Sequence, residues 1–111
     1  MADSLTVAVA STGTIPTVRL KGSLAYGENL APIHEAVVRL KREGHDRLVL
    51  DLSAVEKIDS SGLSALLDAK QTLGPQSRVF LLGPSERIRA ALAMVRVTSL
   101  FELVDDEAGL T

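Results

Sequence analysis

Two consecutive serines, Ser60 and Ser61, lie between an aspartate and a glycine in Lys57-Ile58-Asp59-Ser60-Ser61-Gly62-Leu63. A serine hydroxyl can act as a nucleophile, a phosphate acceptor or a helix cap, and its neighbours decide which. Nucleophilic use needs a base within reach. The histidines are His34, beside the apolar stripe of a predicted helix, and His45, in a predicted exposed turn after Gly44. Neither sits in a motif, and there is no Gly-x-Ser-x-Gly elbow. Both therefore read as surface or helix-end residues. Gly22-Ser23-Leu24-Ala25-Tyr26-Gly27 has glycines at phosphate-loop spacing, but Glu28-Asn29 follows where Lys and Ser/Thr are required. It reads as a strand-to-helix connection.

The carboxylates offer little more. Asp51 and Asp59 flank one predicted strand-to-helix connection, but a glycosidase pair also needs a sugar cleft and an aromatic platform. Asp105-Asp106-Glu107 reads as a solvated, fraying terminus. No metal-ligand spacing appears. These exclusions predict a binding protein with no catalytic residue, metal or cofactor of its own.

The whole composition agrees. At 111 residues, with 46% hydrophobic and 23% charged, the chain has the material for one folded domain, predicted to span residues 1–111. A net charge of -2 gives no general attraction for nucleic acid or anionic membranes. Tyr26, Phe80 and Phe101 are the only aromatics, too few for a base-stacking platform. The absence of cysteine excludes disulfides, thiolate-ligated zinc and thiol catalysis. The N-terminal stretch has neither the charge nor the apolar length of a signal peptide, and no segment is apolar for the roughly 20 residues a membrane span needs. The simplest expected location is the cytoplasm.

The elements that must position the serines follow from hydrophobic periodicity. Leu5–Ala10 and the alternating Thr17–Lys21 read as two strands joined through a turn at Ser11–Thr14. Leu30, Ile33, Val37 and Leu40 recur at helical spacing, with Pro32 placing the helix start near Leu30 and Gly44 ending it. Leu48–Leu52 reads as a strand buried on both faces. Leu63, Leu66, Leu67 and Lys70 resume the helical period until Gly74-Pro75. Val79–Leu82 forms a further buried strand; Ser85 caps a helix carried by Ile88, Ala91, Leu92 and Val95; Phe101–Val104 supplies a short edge strand. Strands alternating with helices require parallel pairing through right-handed crossovers, with the opening hairpin as an antiparallel edge. The predicted fold class is α/β, one mixed sheet of four or five strands with helices packed against it.

In that frame Asp59 begins a helix, and two readings of the tetrapeptide stay open. Asp and Ser are preferred caps because their oxygens accept the first-turn N–H groups. The same geometry suits a phosphoserine. Helix-terminal amides favour an anion, Gly62 leaves room for a partner's active site to approach, and a phosphoryl group adds about two negative charges to the surface.

The stretch Leu48-Val49-Leu50-Asp51-Leu52-Ser53-Ala54-Val55-Glu56-Lys57-Ile58-Asp59-Ser60-Ser61-Gly62-Leu63 resembles, almost position by position, the strand, loop and Asp-Ser-Ser/Thr-Gly helix start of the STAS domain family. In particular it resembles the bacterial anti-sigma factor antagonists. Val18-Arg19-Leu20-Lys21-Gly22 resembles the family's second strand ending in glycine, and the Pro84 helix start and Leu100-Phe101 also match. The resemblance covers nearly the whole chain and implies four or five strands with helices stacked on one side. It implies a partner switch as well. The unphosphorylated antagonist binds an anti-sigma factor, itself a serine kinase of the GHKL type, and frees a sigma factor for transcription; phosphorylation of Ser60 ends the complex, and a PP2C-type phosphatase resets it. On this resemblance Asp59 orients the loop, while Ser61, Gly62, Leu63, Gly22 and Tyr26 shape the site or meet the partner.

One position departs from the pattern. The family commonly carries aspartate in a Gly-x-Leu-Asp sequence after its second strand, and Gly22-Ser23-Leu24-Ala25 has alanine there. Tyr26 either takes over part of that contact or packs as a loop aromatic. The departure keeps a second reading in play, a STAS module serving as a fixed subunit of a lipid-transport ABC assembly or a stress-signalling complex. A small hydrolase using Ser60 or Ser61 lacks a positioned base.

Overall fold

Each parallel crossover of the chain steps to the next strand in the same direction, and this fixes the architecture. The computed structural model describes residues 5–10, 15–94 and 98–106. It contains β1 (Thr6–Ala10), β2 (Thr17–Leu24), α1 (Ala31–Arg42), β3 (Arg47–Ile58), α2 (Ser60–Leu73), β4 (Arg78–Leu82), α3 (Glu86–Met94), a 3-10 turn at Thr98–Leu100 and β5 (Glu102–Val104). The five-stranded sheet has the order β1-β2-β3-β4-β5, with β1 antiparallel to β2 and the rest parallel. Right-handed crossovers that always advance the same way put every helix on the same face.

The core shows the result. Ile33, Val37 and Leu40 of α1, Leu66 and Ala69 of α2, and Ile88 and Leu92 of α3 share one buried cluster with Val18, Leu20, Leu48, Leu50, Leu52, Val79 and Leu81. Side chains alternate across a strand, so the other face carries Val49, Phe80 and Leu82, which cluster with Ile15. Arg78 lies over the Phe80 ring at 5.1 Å and makes two 2.7 Å bonds to Glu102, linking β4 to β5. The predicted mixed sheet, its helices on one side and the short last strand are thus all present.

Two strands run further than their sequence pattern announces. β2 continues through Gly22 to Leu24, and β3 continues from Leu52 to Ile58. The apolar alternation is broken there by irregular register between Arg19 and Lys21 and between Gly22 and Ser23. Gly22 is therefore a mid-strand residue with φ 111°, a left-handed conformation that favours glycine, and it does not end the strand. Asp51 does not flank the strand-to-helix connection. It lies mid-strand near Arg19, at 3.9 Å, and accepts the backbone and hydroxyl of Ser53. Beyond Asp51, the last residue of β3 paired with β4, β2 and β3 continue as a two-stranded ribbon to the start of α2.

The caps follow their chemistry. Pro32 sits in the first turn of α1, and the Asn29 side chain accepts the Ala31 amide at 3.2 Å. Ser85 Oγ accepts the Ile88 amide at 3.2 Å, as its predicted capping role requires. Of the terminal acidic run, Asp105 is solvent-exposed, as expected, and pairs with Arg89 at 2.7 Å. The predicted turn at Ser11–Thr14, Val95 and Glu107 lie outside the described residues.

Leu66 is fully buried beneath α2, whereas Leu100 is 46% exposed. Leu66→Ala is expected to cost about 2–5 kcal/mol in chemical denaturation, and Leu100→Ala no more than about 0.5 kcal/mol.

Candidate functional site

The two-stranded ribbon ends in a backbone bond from Asp59 N–H to the Leu24 carbonyl, 3.1 Å, which closes β2 against the start of α2. Asp59 is extended (φ -130°, ψ -167°), the geometry of an N-cap, and α2 begins at Ser60. Its Oδ1 accepts the amides of Ser61 at 2.8 Å and Gly62 at 3.3 Å, while Oδ2 accepts the amide of Tyr26 at 2.9 Å. Its carbonyl accepts the amide of Leu63 at 2.9 Å. The Tyr26 amide above all, joined by those of Gly62 and Ser61, holds the Asp59 carboxyl below the usual carboxylate range. The predicted cap is therefore present, and it also reaches across to the β2–α1 loop.

This arrangement changes the expected seat of a phosphate. The amides of Ser61 and Gly62 already serve Asp59, so they do not form a vacant anion cradle. Ser60 itself is exposed as the first residue of the helix, and its hydroxyl makes no hydrogen bond to the described residues. Ser61 is half-buried, and Leu63 is half-buried against the core.

Gly62 has a different purpose from the one expected. It is buried, and a Cβ there would overlap the Leu24 carbonyl while meeting Leu24 Cβ at 2.7 Å and Ile58 Cγ1 at 2.8 Å. The missing side chain lets α2 approach the ribbon from within; it does not clear space for a partner outside. Gly22 is buried lower in the ribbon, opposite Val55, and shapes β2 without reaching the surface.

Tyr26 is 88% exposed, so it is not a packed loop aromatic. The Ala25 carbonyl accepts the Glu28 amide at 3.1 Å, and Glu28 in turn accepts the amide of Leu5 at 2.9 Å, tying the loop to the start of β1. No sequence signal marked Glu28 for this task beyond its being the wrong residue for a phosphate loop. With alanine at 25, Asp59 is the only carboxylate offered by the two segments Gly22–Gly27 and Lys57–Leu63.

The remaining candidates lie elsewhere. His34 Nδ1 is 2.7 Å from Asp68 Oδ2, linking α1 to α2 on the surface, and His45, half-buried and not fully exposed, is 3.9 Å from Glu43. Neither bonds to Ser60 or Ser61. No group of three potential metal ligands occurs among the described residues. Two open hollows of about 350 and 440 Å³ share Lys70, Pro75 and Leu100, towards the far end of α2 from Ser60. Among the described residues no helix is long and apolar enough to cross a membrane.

The site thus consists of a capped helix start, an exposed serine and an exposed tyrosine on a mixed sheet with its helices on one face. The STAS domain model matches residues 6–109, and the chain belongs to that family. An anti-sigma factor antagonist from Mycobacterium paratuberculosis has the same fold, with a TM-score of 0.84, 23% identity and coverage of 98% of this chain and 92% of its own. The Bacillus cell fate determinant SpoIIAA in its phosphorylated form gives a TM-score of 0.70 at 18% identity, covering 95% of this chain and 96% of its own. An anti-sigma-factor antagonist (STAS) domain protein from Planctomyces limnophilus gives 0.75 at 14%, covering 94% and 92%. Comparison with curated protein sequences returned no match.

Two outcomes test this geometry. Gly62→Ala is expected to destabilise the fold by about 3 kcal/mol, the upper end of overpacking costs, because the obstructing atoms include backbone. The depressed Asp59 carboxyl contributes stability that is fully present above its unfolded pKa, about 3.9, and is lost as pH falls through the lower folded value. The difference in Tm between wild type and Asp59→Ala should therefore shrink on acidification below about pH 4.

Proposed function

We propose that this protein is an anti-sigma factor antagonist whose binding is switched by phosphorylation of Ser60. The observation that carries the reading is the division of labour at the start of α2. Asp59 accepts the Ser61 and Gly62 amides, which leaves the Ser60 hydroxyl exposed and structurally unemployed. A phosphoryl group can be added there without removing any bond the Ser60 hydroxyl makes within the fold. The charge it brings, about two units, then acts on the contact surface.

In the cycle, unmodified protein binds an anti-sigma factor of the GHKL serine kinase type and thereby releases a sigma factor. The γ-phosphoryl group of ATP passes to Ser60 Oγ as the bond to ADP breaks; the hydroxyl proton is taken up by the kinase, and the complex dissociates. A PP2C-type phosphatase transfers the phosphoryl group to water and restores the binding form. Tyr26 and Leu63 would contact the partner, with Asp59, Ser61, Gly62 and Gly22 holding the surface in shape. The cycle belongs in the bacterial cytoplasm, takes place within a single domain of residues 1–111 and makes no use of nucleic acid or membrane contact. The existence of SpoIIAA in both unphosphorylated and phosphorylated forms on this fold supports the reading.

Alanine at position 25 favours one competing reading, the STAS module as a fixed subunit that is never phosphorylated. Incubation with each GHKL-type kinase of the host and ATP, followed by intact-mass measurement, separates the two. The switch predicts one added phosphoryl group on wild type and none on Ser60→Ala; an unmodified wild type with every such kinase supports the fixed subunit. Ser60→Asp should weaken kinase binding while changing stability by no more than about 0.5 kcal/mol, as expected for a surface substitution.

A further inference from the structure

Asp59 divides its carboxylate between two elements. Oδ1 serves the first turn of α2, and Oδ2 serves the Tyr26 amide of the β2–α1 loop. The loop's other side-chain ties lead away from α2. Glu28 holds Leu5 just before β1, and the Asn29 side chain accepts the Ala31 amide of α1. The bond to Oδ2 is thus the hydrogen bond that joins the exposed Tyr26 to the helix bearing Ser60. Asp59 forms no ion pair with a described cation, so the protein's contribution to stabilising its charge comes from backbone amides.

A phosphoryl group on Ser60 would stand one residue from this carboxylate, with about two negative charges and three strong acceptor oxygens. It would repel Asp59 and compete for the same amides, and no neighbouring cation is paired with Asp59 to relieve the conflict. Resting on the phosphorylation reading above, we propose that Asp59 is a positioning residue that couples the state of Ser60 to Tyr26. With Ser60 unmodified, Asp59 holds the loop and presents the tyrosine. With Ser60 phosphorylated, Asp59 gives up the Tyr26 amide and the tyrosine loses its fixed placement. The partner then meets both a new charge and a displaced aromatic contact.

The test needs no kinase. Phosphoserine is installed at position 60 during translation, and the Tyr26 amide is followed by nitrogen-15 NMR and hydrogen exchange. Four forms are compared: wild type and Asp59→Asn, each with and without phosphoserine. Asparagine still caps α2 through its oxygen but turns a donor toward the Tyr26 amide, so this substitution cuts the loop bond selectively. Phosphoserine in the wild-type background should move the Tyr26 resonance toward its Asp59→Asn position. It should also speed exchange about tenfold or more, the effect of losing a hydrogen bond to a charged acceptor. In the Asp59→Asn background it should add no further change at Tyr26, while buried amides of α2 such as Leu66 stay protected throughout. The proposal is overturned if Tyr26 keeps its wild-type shift and exchange in the phosphorylated form, or if phosphoserine moves it equally in the Asp59→Asn background. A kinase assay that adds no mass would remove the phosphorylation reading and leave this measurement standing. A positive kinase assay with a silent Tyr26 would remove the coupling alone.

Discussion

The first turn of α2 lies against the end of β2 so closely that only hydrogen fits at position 62. A methyl group there would strike the carbonyl of Leu24, the same oxygen that accepts the Asp59 amide. This contact sets the height of α2 above the sheet and fixes where Asp59 can place its carboxylate. The exposure of Ser60 follows from it, because the helix start is held at the rim of the ribbon and is not sunk into it. The long extensions of β2 and β3 serve the same end by carrying the contact beyond the last β3–β4 pair.

Much of this was legible in the residues. Leu30, Ile33, Val37 and Leu40 spaced α1 correctly, Ser85 capped α3, and Asp59 opened α2, since each depends on short-range periodicity or on the local demand of helix amides. The reach of β2 and β3 was not. Ser53, Ala54, Glu56 and Lys57 are exposed and break the apolar pattern of β3, and Gly22 looked like a strand end because glycine usually punctuates. Those segments are strands by virtue of pairing with each other, a long-range property that no window of one sequence contains. The same limit applied to Gly62 and to Tyr26. The close approach at the first comes from Leu24, and the hydrogen bond at the second comes from Asp59, each more than thirty positions away in the chain.

The electrostatics of the site depend on backbone more than on side-chain charge. Amides from two elements hold the Asp59 carboxyl below the usual carboxylate range, and the ion pairs around the fold, such as Arg78 with Glu102 and Arg89 with Asp105, belong to other regions. An exposed ion pair is weakened by salt, whereas fixed amide dipoles keep their orientation as long as the fold persists.

The strand order has a last consequence. In open α/β sheets a crevice forms where successive crossovers turn back in the opposite direction, and small ligands settle there. Here β2, β3, β4 and β5 follow one another without a reversal, so the topology provides no such crevice at the rim where α2 begins. For the switch proposed above, Ser60 then stands on exposed surface at that rim. A partner protein acting in that switch would have to bring the hollow itself, because this strand order supplies none.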